Sequence, residues 1–380
     1  MTDGPSDGPR WRTQARGSDE LSTGDAMRAE RKYPQGEPVH PQAGAEVAVS
    51  RETSEEGVSR ETTPAWQPRT AADIAAQDHD FDDHGTPLAQ AAQHSVLART
   101  GGLRRQGVER PDATRVLVVA NQKGGVGKTT STVNVAAGLA QLGQRVLVID
   151  LDPQGNASTA LGVDHHRGVP STYDMLVEGR PLIEVISACD DLPGLWAVPA
   201  TIDLAGAEIE LVSVVAREQR LARAIAAHPL VGSAADAGED RFDYVFVDCP
   251  PSLGLLTLNA LVAGREMFIP IQAEYYALEG LGMLLETVDM VRQHLNPQLT
   301  ISTILLTMYD ARTRLASGVA DEVRSHFGDQ VLKTAVPRSV RVSEAPSYGQ
   351  TVMTYDPASA GALSYLEAAR EIARKGAPHS

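Results

Sequence analysis

The stretch VVANQKGGVGKTTSTVNVAAGL, from Val118 to Leu139, decides the fold of this chain. Its apolar start belongs to the run RVLVVA (115–120), which is typical of a strand buried on both faces. After the glycines, apolar residues recur at helical spacing and the pattern ends at Gly143, a residue type that commonly follows a helix. A strand, a glycine loop and a helix in this order predict a site where main-chain N–H groups and a helix N-terminus meet phosphate oxygens.

Two lysines stand in this loop, Lys123 and Lys128, although the chain has only five lysines against 29 arginines. Lys128 lies in the sequence GKT, where a lysine can reach the β- and γ-phosphates and the hydroxyl of Thr129 can bind Mg²⁺. The usual pattern G-x-x-x-x-G-K-[ST] requires glycine at the position of Gln122. The loop is therefore a deviant phosphate-binding loop with an additional lysine at its entrance, and we expect ATP and Mg²⁺ as cofactors.

Composition divides the chain into two parts. Residues 1–110 are rich in Gly, Pro, Ser, Gln, Asp and Glu without a sustained period of 2 or 3.6, so we expect a largely disordered N-terminal extension. Residues 111–376 are expected to form the folded phosphate-loop domain, with a short tail at 377–380. The notable features of the extension are a VSRET repeat, at 49–53 and 58–62, and a predicted short helix at 86–99.

Strand and helix patterns alternate after the phosphate loop. Buried strands are predicted at 145–150, 243–248, 266–271 and 300–306. Helices are predicted at 204–227, 278–295, 317–327 and 362–375. Because strands separated by helices usually pair in parallel, we expect an α/β fold with a doubly wound, mostly parallel sheet flanked by helices.

The overall composition argues against several classes of protein. A net charge of −15 disfavours a protein that coats nucleic acid generally, although it is compatible with a local basic patch. The two cysteines form neither a CxxC metal motif nor a disulfide framework, and the start of the chain has no apolar signal-peptide region. No apolar run approaches the roughly 18 residues of a membrane span. We therefore expect a cytoplasmic protein.

Carboxylates follow two of the predicted strands, at the edge where doubly wound sheets bind ligands. The second strand ends in DLDPQGN, and of its two carboxylates, Asp150 and Asp152, we expect only one to face the nucleotide directly. The strand YVFVD ends at Asp248, which we expect to hold Mg²⁺. The site has no strong general base, and this favours the slow hydrolysis of a switch over the turnover of a metabolic enzyme.

The loop KGGVGKT resembles that of the ParA/MinD family of ATPases, and the motifs MYDART, VPRSVRVSEAPSYG and YDPASAGA resemble its chromosome-partitioning ParA (Soj-like) members. The resemblance covers about residues 113–375. It implies an ATP-sandwich homodimer in which Lys128 serves its own nucleotide, Lys123 contacts the partner's nucleotide, and Asp152 orients the attacking water. The nucleotide contacts that it implies are Lys123, Gly124, Gly125, Val126, Gly127, Lys128, Thr129 and Thr130, with Met308, Pro337 and Arg338 beside the adenine.

The same resemblance implies that the dimer binds double-stranded DNA nonspecifically through Arg312 and Arg341. Such binding needs only phosphate contacts, and two protomers double the patch. Because residues 308–350 hold six bases against five acids, we expect modest and salt-sensitive affinity. A ParB-like centromere-binding partner is expected to stimulate hydrolysis and so release the DNA, and the protein is expected at the nucleoid. We expect Arg314, Lys333 and Arg338 to assist as auxiliary DNA contacts.

Two other interpretations of the loop belong to different classes. A MinD-like membrane-associated ATPase that positions the division site would end in a basic amphipathic helix. The tail EIARKGAPHS has small residues and mixed charge, which suit packing on the sheet. A nitrogenase-type iron protein would need cysteine pairs to bridge a cluster, whereas Cys189 is isolated and Cys249 lies in the predicted metal loop. The sequence therefore favours a DNA-segregation switch without a membrane partner, with the division-site ATPase as the alternative.

Overall fold

The computed structural model describes residues 107–376 apart from Tyr275, and for 276–279 it describes the backbone only. The predicted extension up to residue 106, with its VSRET repeat and its short helix, lies outside the described residues. So does the predicted tail at 377–380.

A single mixed sheet of eight strands forms the centre of the described region. Its strands are β1 (Arg115–Val119), β2 (Val146–Asp150), β3 (Ser187–Ala188), β4 (Leu195–Val198), β5 (Tyr244–Asp248), β6 (Glu266–Gln272), β7 (Thr300–Tyr309) and β8 (Val331–Pro337). The strand order is β3-β4-β2-β5-β1-β6-β7-β8, and only the short β3 runs antiparallel to its neighbour. The predicted doubly wound, mostly parallel sheet is confirmed.

Helices cover both faces of the sheet. The α-helices are α1 (Lys128–Gln141), α2 (Asn156–Ala160), α3 (Leu204–Glu210), α4 (Arg220–Ala226), α5 (Ala234–Ala237), α6 (Leu255–Ala263), α7 (Tyr276–His294), α8 (Arg314–Phe327), α9 (Val340–Glu344), α10 (Val352–Tyr355) and α11 (Ala360–Lys375). Short 3₁₀ or π turns occupy Asp174–Glu178, Leu182–Glu184, Leu211–Ser213, Arg217–Gln219, Gly328–Gln330 and Ala345–Tyr348. None of the helices described is both long and apolar enough to cross a membrane.

Successive residues of the central strands face two separate apolar layers. On β1, Leu117 and Val119 pack in the layer that contains α1 and α11. Val116 and Val118 pack in the opposite layer, with residues of α3, α4, α6 and α7. Because both faces of the sheet are covered, the strand sequences are continuous apolar runs without alternation.

The predicted helix over 204–227 is wrong as a single element, because α3 ends at Glu210 and α4 begins only at Arg220. Between them Val214 is extended and Ala216 has a left-handed backbone with φ of 53°. The intervening sequence LVSVV is rich in β-branched residues, which are weak helix formers. Strands β3, β4 and β8 had not been predicted, because β3 and β4 have only 2 and 4 residues and the apolar run of β8 is interrupted by Lys333 and Thr334.

The parallel topology brings the carboxyl ends of the central strands to one edge of the sheet. Register pairs Val119, the last residue of β1, with Asp248 at the end of β5. It also pairs Asp150, at the end of β2, with Asp248. The phosphate loop and two of the predicted carboxylates therefore leave the sheet side by side.

Two glycines provide a matched test of the packing. A Cβ at Gly264 would lie 2.3 Å from Cγ2 of the fully buried Val118, whereas a Cβ at Gly280 in α7 would meet nothing within 4 Å. We expect Gly264→Ala to lower the free energy of unfolding by about 1–3 kcal/mol through overpacking. Gly280→Ala should raise it by about 0.5–1 kcal/mol, because alanine is the better helix former. Urea denaturation measures both, and equal shifts would contradict the close approach at Gly264.

Candidate active site

The phosphate loop connects β1 to α1 through two left-handed glycines. Gly125 has φ of 76° and Gly127 has φ of 85°, conformations that favour glycine. Gly127 is the N-cap of α1, and no side chain in the described region caps the helix, so its first N–H groups are available to a ligand. A Cβ at Gly124 or Gly125 would meet no atom within 4 Å, so a phosphate group has room beside the main chain.

Two side chains, Asn121 in the loop and Thr307 in β7, hold the loop in place. Asn121 Oδ1 accepts the Lys123 N–H at 3.0 Å, and its Nδ2 donates to the Pro270 carbonyl in β6 at 2.8 Å. The Thr307 hydroxyl, near the end of β7, donates to the Val126 carbonyl at 2.8 Å. The Val126 side chain is buried, so only the main chain of this residue is available to a ligand.

Lys128 lies at the start of α1 and is 7% exposed. Its Nζ is 3.4 Å from the Lys123 carbonyl oxygen. Burial lowers the pKa of Lys128, and the nearby carboxylates of Asp248 and Asp152 oppose this shift. An ammonium group that is buried under the loop beside carboxylates is well suited to neutralise a phosphate.

Asp248 presents a buried carboxylate that is only half satisfied. The Thr132 hydroxyl donates to its Oδ1 at 2.9 Å, whereas its Oδ2 has no hydrogen-bond partner among the described residues. Burial, and next the charge of Asp150, raise the pKa of Asp248, while the neighbouring hydroxyls of Thr129 and Thr132 lower it. A buried carboxylate oxygen without a partner next to a phosphate loop fits a divalent cation.

The metal would need ligands besides Asp248. No group of three or more His, Cys, Asp or Glu side chains that could hold a metal ion occurs in the region that the structure describes. Mg²⁺ is commonly bound by one or two protein oxygens together with phosphate oxygens and water. Thr129 and Asp248 fit this type of site.

The two carboxylates after β2 have different surroundings. Asp150 accepts three hydrogen bonds, from the Ser158 N–H at 2.9 Å, the Ser158 hydroxyl at 2.7 Å and the Asp152 N–H at 3.1 Å. Burial raises its pKa. Asp152 accepts the Gln154 N–H at 3.0 Å. Asp150 therefore holds the turn after β2. Asp152 lies within that turn, and its charge raises the pKa of both Lys128 and Asp248.

Lys123 forms an ion pair that sequence reasoning missed. Its Nζ lies 3.1 Å from Oε2 of Glu274, just after β6 in the same chain. Both side chains are partly exposed, and such a pair contributes roughly 0–1 kcal/mol. Nothing in the sequence marked Glu274, since a single glutamate in a polar turn resembles ordinary surface.

The residues predicted beside the adenine lie together. Met308 follows Thr307, which contacts the phosphate loop, and it has a left-handed backbone with φ of 50°. Register pairs the next residue, Tyr309, with Pro337 at the end of β8, and Arg338 follows. A non-glycine residue with positive φ costs about 1–3 kcal/mol and is typical of functional sites.

Each of the two arginines predicted to bind DNA has acidic partners. The exposed Arg312 makes two 2.8 Å hydrogen bonds to the Asp310 carboxylate, which lower the pKa of Asp310 to about 2. Arg341 lies 3.1 Å from Glu344 and 3.4 Å from Asp356. DNA phosphates would compete with these carboxylates.

The loop after Asp248 has a contact that sequence reasoning also missed. Oε1 of Glu208, on α3, lies 3.4 Å from the Leu256 nitrogen in the first turn of α6. The N-cap of α6 is Gly254, which has no side chain to cap the helix. A Cβ at Gly254 would lie 2.0 Å from the same oxygen. Glu208 therefore supplies a negative charge at the N-terminus of α6. The sequence analysis predicted one continuous helix over 204–227, and nothing in its sequence indicated that Glu208 contacts α6.

Thr132 provides a test of the buried carboxylate. We expect Thr132→Val to lower the free energy of unfolding by about 1–3 kcal/mol, because it removes the donor to Asp248 Oδ1. Thr132→Ser keeps the hydroxyl and should recover most of this loss. Thr287→Val is the control, since that exposed hydroxyl donates only within α7, and its effect should stay within about 0.5 kcal/mol. A Thr132→Val protein as stable as wild type would exclude this hydrogen bond.

Comparison with known proteins identifies the family. A family model described as an AAA domain matches residues 114–301. The sporulation initiation inhibitor protein Soj of Bacillus subtilis (strain 168) is 50% identical over 262 residues, which are 69% of this chain and 99% of that relative. The chromosome partitioning protein ParA of Caulobacter vibrioides is 48% identical over 258 residues, 68% of this chain and 93% of that relative.

A solved structure agrees in fold and sequence. The cobyrinic acid a,c-diamide synthase of Mycobacterium smegmatis, with bound ADP and magnesium, is 38% identical. It aligns with a TM-score of 0.55 over 68% of this chain and 93% of that chain. Since about half of the residues are identical across nearly the whole of Soj and ParA, the chain belongs to the ParA/Soj family of phosphate-loop ATPases.

Proposed function

We propose that this ATPase is a molecular switch for chromosome or plasmid segregation. Two copies sandwich two ATP molecules, bind double-stranded DNA nonspecifically in that state and release it after hydrolysis, which a ParB-like partner stimulates. The observation that carries this proposal is the pair Lys123 and Lys128 around one phosphate loop, in a chain about half identical to proteins named for chromosome partitioning.

The loop from Gly124 to Thr130 receives the phosphates of ATP, with Lys128 neutralising their charge. Thr129 and Asp248 hold Mg²⁺, which when bound shields the phosphate oxygens. Two features support these assignments: the partnerless buried oxygen of Asp248 and the open space beside Gly124. Asp152, in the turn beside this cluster, orients the attacking water. Met308, Pro337 and Arg338 flank the adenine.

Lys123 must exchange partners to act across a dimer. In the single chain it pairs with Glu274 near the surface, at a stabilisation of no more than roughly 1 kcal/mol. The phosphates of a second copy's nucleotide carry more negative charge than one carboxylate, so the exchange is favourable when that copy is present. Lys123 therefore pairs with Glu274 in the monomer and contacts the phosphates of the partner's nucleotide in the dimer.

DNA binding requires a similar exchange. Arg312 and Arg341 release their acidic neighbours and contact DNA phosphates, with Arg314, Lys333 and Arg338 as auxiliary contacts. Each exchange returns a carboxylate to water, so the affinity per protomer is modest and falls steeply with salt. Dimerisation doubles the number of contacts, which makes binding depend on ATP.

The packing of the C-terminal helix α11 favours DNA, and not a membrane, as the binding partner. The apolar side of α11 is buried against α1 and the sheet, including Leu366 and Ile372. A helix whose apolar face is already packed has little left to insert into a lipid surface.

Substitution of the two lysines by alanine should affect different steps, ATP binding for Lys128 and dimerisation for Lys123. Lys128→Ala should lose ATP binding, measured with a fluorescent ATP analogue. Lys123→Ala should bind ATP as the wild type does but lose ATP-dependent dimerisation, measured by light scattering, and hydrolysis. Lys375→Ala is the control, since that lysine bonds to the carbonyls of Asp329 and Gln330 away from the loop. Wild-type dimerisation by Lys123→Ala would refute the role across the dimer.

DNA retardation with ATP, with ADP and without nucleotide tests the switch itself. Only ATP should retard DNA, and Arg341→Glu should weaken the retardation at least about tenfold while dimerisation is retained. Arg292→Glu is the matched control, because that arginine also has an acidic neighbour on its own helix, α7. Equal retardation by wild type under all three conditions would overturn the proposed function.

A further inference from the structure

A cavity of about 270 Å³ lies between α4 and the turns that precede β3, and the proposed function does not use it. Its lining residues come from 175–183 and 220–229, and none of them belongs to the candidate active site. The carbonyl of Leu230, next to this lining, accepts the N–H of Phe242, which shortly precedes β5. The cavity therefore extends toward the amino end of β5, whereas the phosphate loop lies at the carboxyl ends of the strands.

One face of α4 forms a wall of the cavity. Arg220, Arg223, Ala224 and Ala227 all line it, and their spacings of three and four residues place them on the same side of the helix. The two alanines leave room in front of the arginines. Across from them, Gly179 has φ of 79°, and a Cβ there would lie 2.9 Å from Nη2 of Arg220. The glycine therefore allows the guanidinium group to lie close to the main chain of the opposite wall.

The two arginines of α4 have only neutral partners. Arg220 donates from Nε to the Leu176 carbonyl at 2.7 Å and from Nη2 to the Val177 carbonyl at 3.2 Å. Arg223 donates to the side-chain oxygen of Gln219 at 3.1 Å. Within the part of the chain that the structure describes, neither guanidinium group forms an ion pair with a carboxylate. The carbonyls fix the position of Arg220, and both positive charges remain available to a ligand.

The charge of the cavity lining is positive throughout. Arg180 is its third arginine and pairs with Glu184 at 3.4 Å, so its charge is already partly balanced. No acidic residue is among the described residues that line the cavity. In a chain with a net charge of −15, such a cluster indicates an anionic ligand.

His228 adds a buried N–H group to the same lining. The residue is 4% exposed, and its Nδ1 accepts the Leu230 N–H at 3.1 Å, so a neutral ring carries its proton on Nε2. Burial lowers the pKa of His228 and thereby favours the neutral ring. Nε2 has no hydrogen-bond partner among the described residues. Since buried polar groups normally have a partner, this N–H is consistent with a ligand oxygen in the cavity.

We propose that this cavity binds a small phosphate monoester. The inference is independent of the proposed function. A phosphate monoester carries about −1.5 to −2 charges at pH 7, which matches the guanidinium groups of Arg220 and Arg223, and the planar forks of arginine suit phosphate oxygens. The buried side chains of Met175 and Leu182 give the lining an apolar part for the organic portion of the ligand. Because pockets for drug-sized molecules have roughly 300–1,000 Å³, the ligand is a small one.

Phenyl phosphate is the probe, and titration calorimetry measures its binding to the full chain with saturating ADP and Mg²⁺, which occupy the phosphate loop. The wild type should bind phenyl phosphate at least about tenfold more tightly than benzoate, which has a single charge. Arg223→Gln should weaken binding of phenyl phosphate at least about tenfold, because it removes a charged donor. Arg217→Gln is the control and should bind as the wild type does, since that arginine lies outside the lining and donates to the Val212 carbonyl.

A second pair of variants leaves the arginines intact. Ala227→Glu places a carboxylate in the lining, whereas Ala226→Glu adds the same charge at the neighbouring exposed residue, which does not line the cavity. Both alanines are exposed, so both variants should keep the thermal midpoint of the wild type. Ala227→Glu should weaken binding of phenyl phosphate at least about tenfold, and Ala226→Glu clearly less, because like charges repel most strongly at contact.

Three results would overturn the inference. The first is a wild-type Kd for phenyl phosphate above about 1 mM. The second is equal affinity for phenyl phosphate and benzoate, which would exclude a site selective for phosphate. The third is wild-type binding by both Arg223→Gln and Ala227→Glu, which would place the bound phosphate elsewhere. None of these results bears on the ATP-dependent dimer, so the inference and the proposed function fail separately.

Discussion

The site depends on the electrostatic balance between Lys128 and three carboxylates at the carboxyl edge of the sheet. Burial destabilises the ammonium of Lys128 and the carboxylate of Asp248 alike, and their attraction offsets part of that cost. Asp150 uses its oxygens to hold the turn after β2, whereas one oxygen of Asp248 has no hydrogen-bond partner within the part of the chain that the structure describes. A nucleotide phosphate would add negative charge beside the Lys128 ammonium, and a divalent cation would bind the remaining oxygen of Asp248.

The contacts around this centre are of two kinds. Those that shape the phosphate loop are short and mostly buried, as Asn121 and Thr307 illustrate. The cations proposed to reach other molecules, Lys123, Arg312 and Arg341, instead pair with carboxylates near the surface. Surface pairs of this kind are weak and exchangeable. A rigid loop with exchangeable cations around it is a suitable arrangement for a switch, because the loop keeps its form while the partners of the cations change.

Much of the architecture could be predicted from the sequence. The continuous apolar runs of β1, β2 and β5 predict strands buried on both faces, and their alternation with helices predicts the parallel sheet that the structure has. The boundaries of α1 and α11 were also close to those predicted. The predicted helix over 204–227 was wrong because a run of valines and a left-handed Ala216 interrupt it. Local composition gave weak signals there, and packing decided the outcome.

The sequence by itself determined the phosphate loop, the order of the strand-end carboxylates and the family, because glycines, GKT and an aspartate after an apolar run are local patterns with a local physical cause. Only the tertiary structure decided which groups meet across the chain. Glu274 beside Lys123, Glu208 beside Gly254 and Thr307 on the Val126 carbonyl join residues that are between 46 and 181 positions apart. Such pairs depend on how strands and helices pack in three dimensions, and no spacing along the chain records them.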